Sequence, residues 1–154
     1  MNEPNLNAVS EIPEEEAQEL LRSLLHKEGN WVRWGQVCGQ LQKAGYNPLT
    51  IFEQTGFQGS HQNLIIVASQ VYESLVKGKA SEEVLDYFLG PRSDVLYEFR
   101  ILNHEQRVAA AELAQQKKLD IDGAKEVARD FREFSRLSQL PEGFINHPGD
   151  AVAY

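Results

Sequence analysis

Cysteine is almost missing from this sequence. One thiol, Cys38, excludes an internal disulfide and suits a reducing compartment. Long apolar runs are missing too. No stretch of ~18 apolar residues occurs, so no helix is expected to span a bilayer. There is no CxxC and no HExxH, and His26, His61, His104 and His147 are nowhere paired at helical spacing. A metal centre therefore has no support in the spacing. A P-loop and a GxGxxG following a strand are both absent, which removes the common phosphate cradles. Cations are scarce: 15 Lys and Arg stand against 23 Asp and Glu, a net charge of −8. That balance opposes non-specific binding to nucleic acid or to an anionic membrane. The acidic N-terminus, MNEPNLNAVSEIPEEE, lacks an apolar core segment and reads as neither a secretory signal nor a transit peptide. No stretch alternates with period two for long enough to make a strand.

What is present is helical periodicity. With 154 residues, 42% hydrophobic and 25% charged, the chain can build a real core as one domain or two small lobes. The stretch from Asn30 to Phe57 organises the rest as helix, tight turn, short helix. Asn30 stands at a capping position, and Trp34, Val37, Cys38 and Leu41 follow at i, i+3, i+4 and i+7. Asn47 caps again ahead of Pro48 at the first helical position, and Gly56 closes the short helix. Gly35 and Gly39, one turn apart, each cost about 1 kcal/mol against alanine. The return expected is close approach of another helix. Cys38 lies on the apolar face and reads as a structural thiol rather than a nucleophile.

Around this hairpin the remaining helices follow from stripes and stops. Pro13 and Glu14 to Glu16 open a helix carrying Ala17, Leu20, Leu21, Leu24 and Leu25, with Gly29 as its stop. Leu64, Val67, Ala68, Val71 and Leu75 share a face of a long apolar helix closed by Gly78, with Ile65 and Ile66 widening the face. Ser81, Glu82 and Glu83 begin another through Val84, Leu85 and Phe88, halted at Gly90-Pro91. The runs of acids read as helix starts rather than as acid/base pairs. Ser93 and Asp94 start a helix bearing Val95, Leu96, Phe99 and Leu102. Asn103 with Gln106 has the form of a capping box for a helix bearing Val108, Ala109, Ala111, Leu113 and Ala114. Asp120 and Asp122 open the last, with Ile121, Ala124, Val127, Ala128, Phe131 and Phe134 inward, and Leu140-Pro141 ends it.

The fold class is therefore all-α: about eight short helices in two lobes, the first with a helix-turn-helix-like hairpin. The expected divisions are an acidic disordered tail over 1–12, a first lobe over 13–90, a second over 91–140 and a linker over 141–154. From Met1 to Gly90 there are six Lys and Arg against twelve Asp and Glu, whereas from Pro91 to Leu140 there are nine of each. Two functions suit such a chain. A helix-turn-helix DNA-binding regulatory domain would need cations on its recognition helix, yet Pro48 to Thr55 has none, and only Arg33 and Lys43 are basic across 30–57. A helical protein-binding module needs charged or aromatic docking faces, which the second lobe offers. No catalytic set stands out, so an enzyme is not expected.

Three segments carry a family resemblance: LLHKEGNWVRWGQVCGQLQKAGYNPLTIFEQTGFQG, YFLGPRSDVLYEFRILN and LPEGFINHPGDAVAY. Their order and content resemble the N-terminal α-domain of the Rubisco accumulation factors, assembly chaperones of cyanobacteria and plant chloroplasts. The resemblance implies two helical lobes, then a flexible linker and a dimerising β-domain. The sequence ends at Tyr154, within that linker, so an isolated, monomeric helical domain is expected, with homodimerisation left to the missing β-domain. It also implies an intact protein that binds Rubisco large subunits after chaperonin release, stabilises their dimers, promotes the octameric core and leaves when small subunits join. No nucleotide, metal, nucleic acid or membrane is implied. The expected compartment is the cyanobacterial cytoplasm, or the chloroplast stroma for a plant protein. For the partner surface, Arg92, Tyr97 and Arg100 are the candidates, because they join a hard turn to a helix and combine guanidinium with aromatic groups. The alternative is that they serve internal packing and ion pairs.

Overall fold

The computed structural model describes residues 12–137. The expected tail over 1–12, apart from Ile12, the Leu140-Pro141 stop and the 141–154 linker lie outside them. The described residues form eight α-helices and one 3-10 segment, without a strand. In order they are α1 (Glu14–Leu25), α2 (Trp31–Lys43), α3 (Pro48–Thr55), α4 (Gly59–Lys77), α5 (Glu82–Leu89), α6 (Ser93–Tyr97), the 3-10 segment (Glu98–Ile101), α7 (His104–Lys117) and α8 (Ile121–Leu137). The chain forms two compact units, Met1–Ser69 and Gln70–Tyr154, and the division falls inside α4. The Gly90-Pro91 turn lies within the second unit.

In the first unit α1, α2 and α3 pack on one another. Asn30 Oδ1 accepts from the backbone N–H groups of Val32 and Arg33, and Asn47 Oδ1 from that of Thr50, so two helix starts are fixed by local side chains. Gly56 ends α3 at φ 87°, a left-handed position that glycine enters without a Cβ clash. The core gathers Leu24, Val37, Cys38, Leu41, Ile51, Phe57 and Ile65. Gly35 is where α2 meets α4: a Cβ there would stand 2.2 Å from the Ile65 carbonyl oxygen. At Gly39 the nearest atom to such a Cβ is Ile66 Cγ2, at an ordinary 3.8 Å. The close approach thus belongs to Gly35 alone. Gln62, fully buried, is the unit's polar node. Its Nε2 donates to the carbonyls of Pro48 (3.0 Å) and Phe57, and its Oε1 accepts from Gln42 Nε2 (3.0 Å).

The second unit packs α5, α6, the 3-10 segment, α7 and α8 together. Ser81 caps α5, and Asn103 and Gln106 cap α7 with both hydrogen bonds of the capping box in place. Gln106 Nε2 also donates to Ser135 Oγ on α8. The core is Phe88, Val95, Leu96, Phe99 and Leu102 over the small residues Ala110, Ala111, Ala114, Ala124 and Ala128.

Four details differ from the sequence reading. Leu25 is 54% exposed, because α1 ends there and Leu24 takes the inward place. Ile121, the first residue of α8, is 37% exposed. On α7 the buried stripe is Ala110, Ala111 and Ala114, and Ala109 faces out. Finally, the helix begun at Ser93 is α-helical only to Tyr97. Beyond it Arg107 Nε donates to the carbonyl of Phe99 (3.2 Å) and Nη2 to that of Arg100 (2.8 Å). The Phe99 carbonyl also accepts from the Leu102 N–H (3.1 Å), so Arg107 adds a second bond there and takes the Arg100 carbonyl where no α-ladder continues.

Candidate functional site

Arg92, Tyr97 and Arg100 sit around the α5–α6 turn and the 3-10 segment. The Arg92 guanidinium lies over the Tyr87 ring at 4.0 Å, and its Nη1 donates to the Tyr87 carbonyl at 3.0 Å. Lys118 Nζ is also over that ring, 4.7 Å from its centre. Two cations against one ring make Tyr87, which the sequence reading passed over, the centre of this cluster. Arg100 lies 4.0 Å over the Tyr97 ring, donates from Nη1 to the Tyr97 carbonyl (3.1 Å) and approaches Glu98 at 3.8 Å. The structure therefore joins Tyr97 to Arg100 and gives Arg92 a different aromatic partner. Tyr97 is half-buried, and the Arg100 side chain keeps 39% of its surface. Beside the turn runs a groove of about 480 Å³ lined by Pro91, Arg92, Asp94, Val95, Asp120, Ile121 and Asp122. Asp120 is already engaged, accepting from the N–H of Gly123.

The first unit presents an apolar feature. Leu49 (63% exposed) and Phe52 (40% exposed) stand out from α3. With Pro48, Gln58 and Gly59 they line a groove of about 380 Å³. This is the helix a DNA reader would place in the major groove. It offers two apolar side chains, Glu53 and a single amide, Gln54, with no cation for phosphate or base contacts, so the helix-turn-helix DNA reading is not favoured by the geometry.

Other candidate chemistry is absorbed by packing. Cys38 is fully buried, and burial pushes its thiol up to about 12, so it holds its proton at neutral pH. His61 stacks on Phe57 at 5.6 Å, and His104 Nδ1 is 2.8 Å from Ser74 Oγ. Among the described residues no three His, Cys, Asp or Glu side chains gather as metal ligands, and no helix is long and apolar enough to cross a membrane. On α8 a side about 115° round the helix from the buried Ala124, Val127 and Ala128 bears Lys125, Arg129, Arg132 and Arg136, all exposed. The sequence offers the second lobe's charged helices as docking faces without singling out these four; their 4-3-4 spacing is the signal that marks them.

Fold and surfaces together define an all-helical module that opens on a helix-turn-helix and continues into a second helical unit. Residues 16–76 match the Rubisco accumulation factor 1 helix turn helix domain, and residues 88–154 match the Rubisco accumulation factor 1 alpha helical domain. The chain belongs to the Rubisco accumulation factor 1 family, of which it carries the N-terminal helical region. It is 68% identical over 139 residues to a Synechocystis protein named RuBisCO accumulation factor 1, covering 90% of this chain and 39% of that one. A Nostoc protein of the same name is 55% identical over 154 residues, 99% of this chain and 42% of that one. A chloroplastic Rubisco accumulation factor 1.1 of Arabidopsis thaliana is 35% identical over 134 residues, 85% of this chain and 31% of that one. The chain thus spans about two fifths or less of the length of these relatives.

Proposed function

We propose that this chain is the helical, partner-holding part of a Rubisco assembly chaperone, acting without catalysis. The observation that carries the reading is the 68% identity, along 90% of the chain, to a protein named RuBisCO accumulation factor 1. The partner is the Rubisco large subunit, bound during assembly of the octameric core and released when small subunits join. The intact protein pairs through a β-domain beyond this chain. Identity to cyanobacterial relatives runs from 45% to 68% against 35% to 38% for the plant ones, which favours a cyanobacterial cytoplasm as its place of action.

Partner contact is assigned to Arg92, Tyr97 and Arg100. Support comes from the half-exposed Tyr97–Arg100 pair, an aromatic and a guanidinium already held in one geometry, which lowers the entropy lost on docking. Arg92 is tied into its turn, so Arg100 is the cleaner site to change. The test is co-purification of Rubisco large subunits with the intact protein, wild type against Arg100→Glu. Capture should fall by roughly tenfold while thermal stability is kept, the size expected for loss of an interface anchor. Unchanged capture by a folded variant removes these residues from the interface. Failure of the wild type to capture large subunits removes the chaperone reading itself.

A further inference from the structure

The second unit carries a feature that the family match does not explain. On α8, Lys125, Arg129, Arg132 and Arg136 follow one another at i, i+4, i+7 and i+11. At 3.6 residues per turn they fall within an arc of about 60° and run about 17 Å along the axis. All four are exposed. Arg136 is 3.4 Å from Glu133, in an ion pair both of whose side chains are largely in solvent. Among the described residues Lys125, Arg129 and Arg132 have no ion pair and no hydrogen-bonding partner for their side chains. A second row, Asp122, Glu126 and Glu133, lies about 70° further round the same helix. Like charges one turn apart repel and weaken a helix. Acids stand at i−3 from Lys125, Arg129 and Arg136, yet of those three pairings only Glu133–Arg136 closes.

We propose that this ridge is a docking strip for a carboxylate-bearing face of the partner protein. The assignment rests on the chaperone reading above and places the strip against the Rubisco large subunit. Charge complementarity selects the occupant. The chain as a whole carries −8, so a row of four cations is a local reversal of sign that would attract and orient an acidic surface. Three of the four are arginines, whose planar fork holds a carboxylate through two parallel bonds. The neighbouring acidic row fixes polarity, because the partner must set cations beside its carboxylates. That row also repels a phosphate backbone, which disfavours nucleic acid. A second copy of the chain brings its own −8 and is disfavoured at long range. Two α8 helices related by an antiparallel two-fold would also face basic row with basic row.

The experiment compares the intact protein with its double variant Arg129→Glu/Arg132→Glu and the milder Arg129→Gln/Arg132→Gln. Both positions are exposed, so the melting temperature of each variant should stay near that of the wild type. Affinity for purified Rubisco large subunits is measured between 50 and 300 mM salt, a range that shortens the Debye length from about 14 to about 6 Å. The double reversal should lose roughly tenfold or more at the lowest salt, the glutamines less, and both should flatten the salt dependence. Unchanged affinity and an unchanged salt slope in folded variants overturn the strip. If the wild type itself does not bind large subunits, the chaperone reading fails. The strip is then judged by a labelled helical peptide with glutamates at i, i+4, i+7 and i+11. Wild type must bind that peptide and the reversed variant must not; equal binding overturns the strip. A duplex-DNA affinity that falls with the same substitutions, or a dimer of the wild type that the reversal dissolves, assigns the ridge to another occupant and overturns the proposal as well.

Discussion

In the first unit the tightest helix contact is glycine against bare backbone, Gly35 on the Ile65 carbonyl, and the buried polar node is a neutral amide, Gln62. The second unit brings its helices together over alanines and uses a charged node. Arg107, its guanidinium partly desolvated, reaches the carbonyls of Phe99 and Arg100 and, from Nη1, the Ser74 hydroxyl at 2.9 Å. Each node answers a different need. Gln62 satisfies carbonyls at the two ends of a short helix, Pro48 and Phe57, where no charge is called for. Arg107 takes the Arg100 carbonyl and adds a second bond to that of Phe99 where an α-helix tightens into a 3-10 segment, and its three bonds are charge-assisted. The units therefore differ in what brings their helices together, bare backbone against alanines, and in the charge of the polar node, neutral in the first and cationic in the second.

The sharpest way to break that contrast is to add one methyl group to α2. Gly35→Ala forces a Cβ into a backbone oxygen that cannot rotate away, and should cost the first unit about 3 kcal/mol or more. Gly39→Ala, one turn on, meets only Ile66 Cγ2 at 3.8 Å and should be neutral or stabilising by up to about 1 kcal/mol. Both tryptophans, Trp31 and Trp34, lie in the first unit, so fluorescence-monitored guanidinium unfolding reports that unit selectively. Equal effects at the two glycines would show that helix propensity, rather than the Ile65 contact, governs this site.

Exchanging the polar nodes for apolar groups should give intermediate losses. Gln62→Leu strands the buried Phe57 carbonyl and removes part-buried bonds to the Pro48 carbonyl and the Gln42 amide, at about 2 kcal/mol or somewhat more, read by the tryptophan signal. Arg107→Met should cost somewhat less, about 2 kcal/mol, since its surroundings are wetter and water can reach the freed carbonyls. That loss should appear in far-UV circular dichroism ahead of any shift in fluorescence. Coincident shifts in both signals for Arg107→Met would mean that the two units unfold as one.

The same contrast explains what could be read from the residues alone. Caps at Asn30, Asn47, Ser81 and Asn103 act over two or three residues, so the sequence displays both partners at once. The glycine pair announced a close approach, but ranking Gly35 above Gly39 depends on a residue thirty positions away. The 3-10 segment was illegible because the side chain that takes its carbonyls sits on the next helix. Around the candidate site, Arg100 over Tyr97 is an i, i+3 pair visible in the sequence. Arg92 over Tyr87 requires the chain to fold back across Gly90-Pro91, and Lys118 joins the same ring from the far end of α7.

The smallest expected effect concerns pH and again separates the units. His61 stacks on Phe57, whose ring also lies 4.9 Å from Lys27 Nζ. Burial first, and the Lys27 charge second, hold the imidazole below its ordinary range. The unfolded chain therefore binds a proton more readily than the folded one. The contribution is intact above the unfolded value of about 6.5 and is lost as pH falls from there through the folded value. The exposed ring keeps the loss well below that of Gln62→Leu. His61→Gln should remove this part of the acid sensitivity. The fluorescence midpoint of wild type should drop more between pH 7 and 5.5 than that of the variant. Arg107 stays charged throughout that range, so the second unit's node should add no such slope. An identical drop in wild type and His61→Gln would assign the acid sensitivity of the first unit to its carboxylates instead.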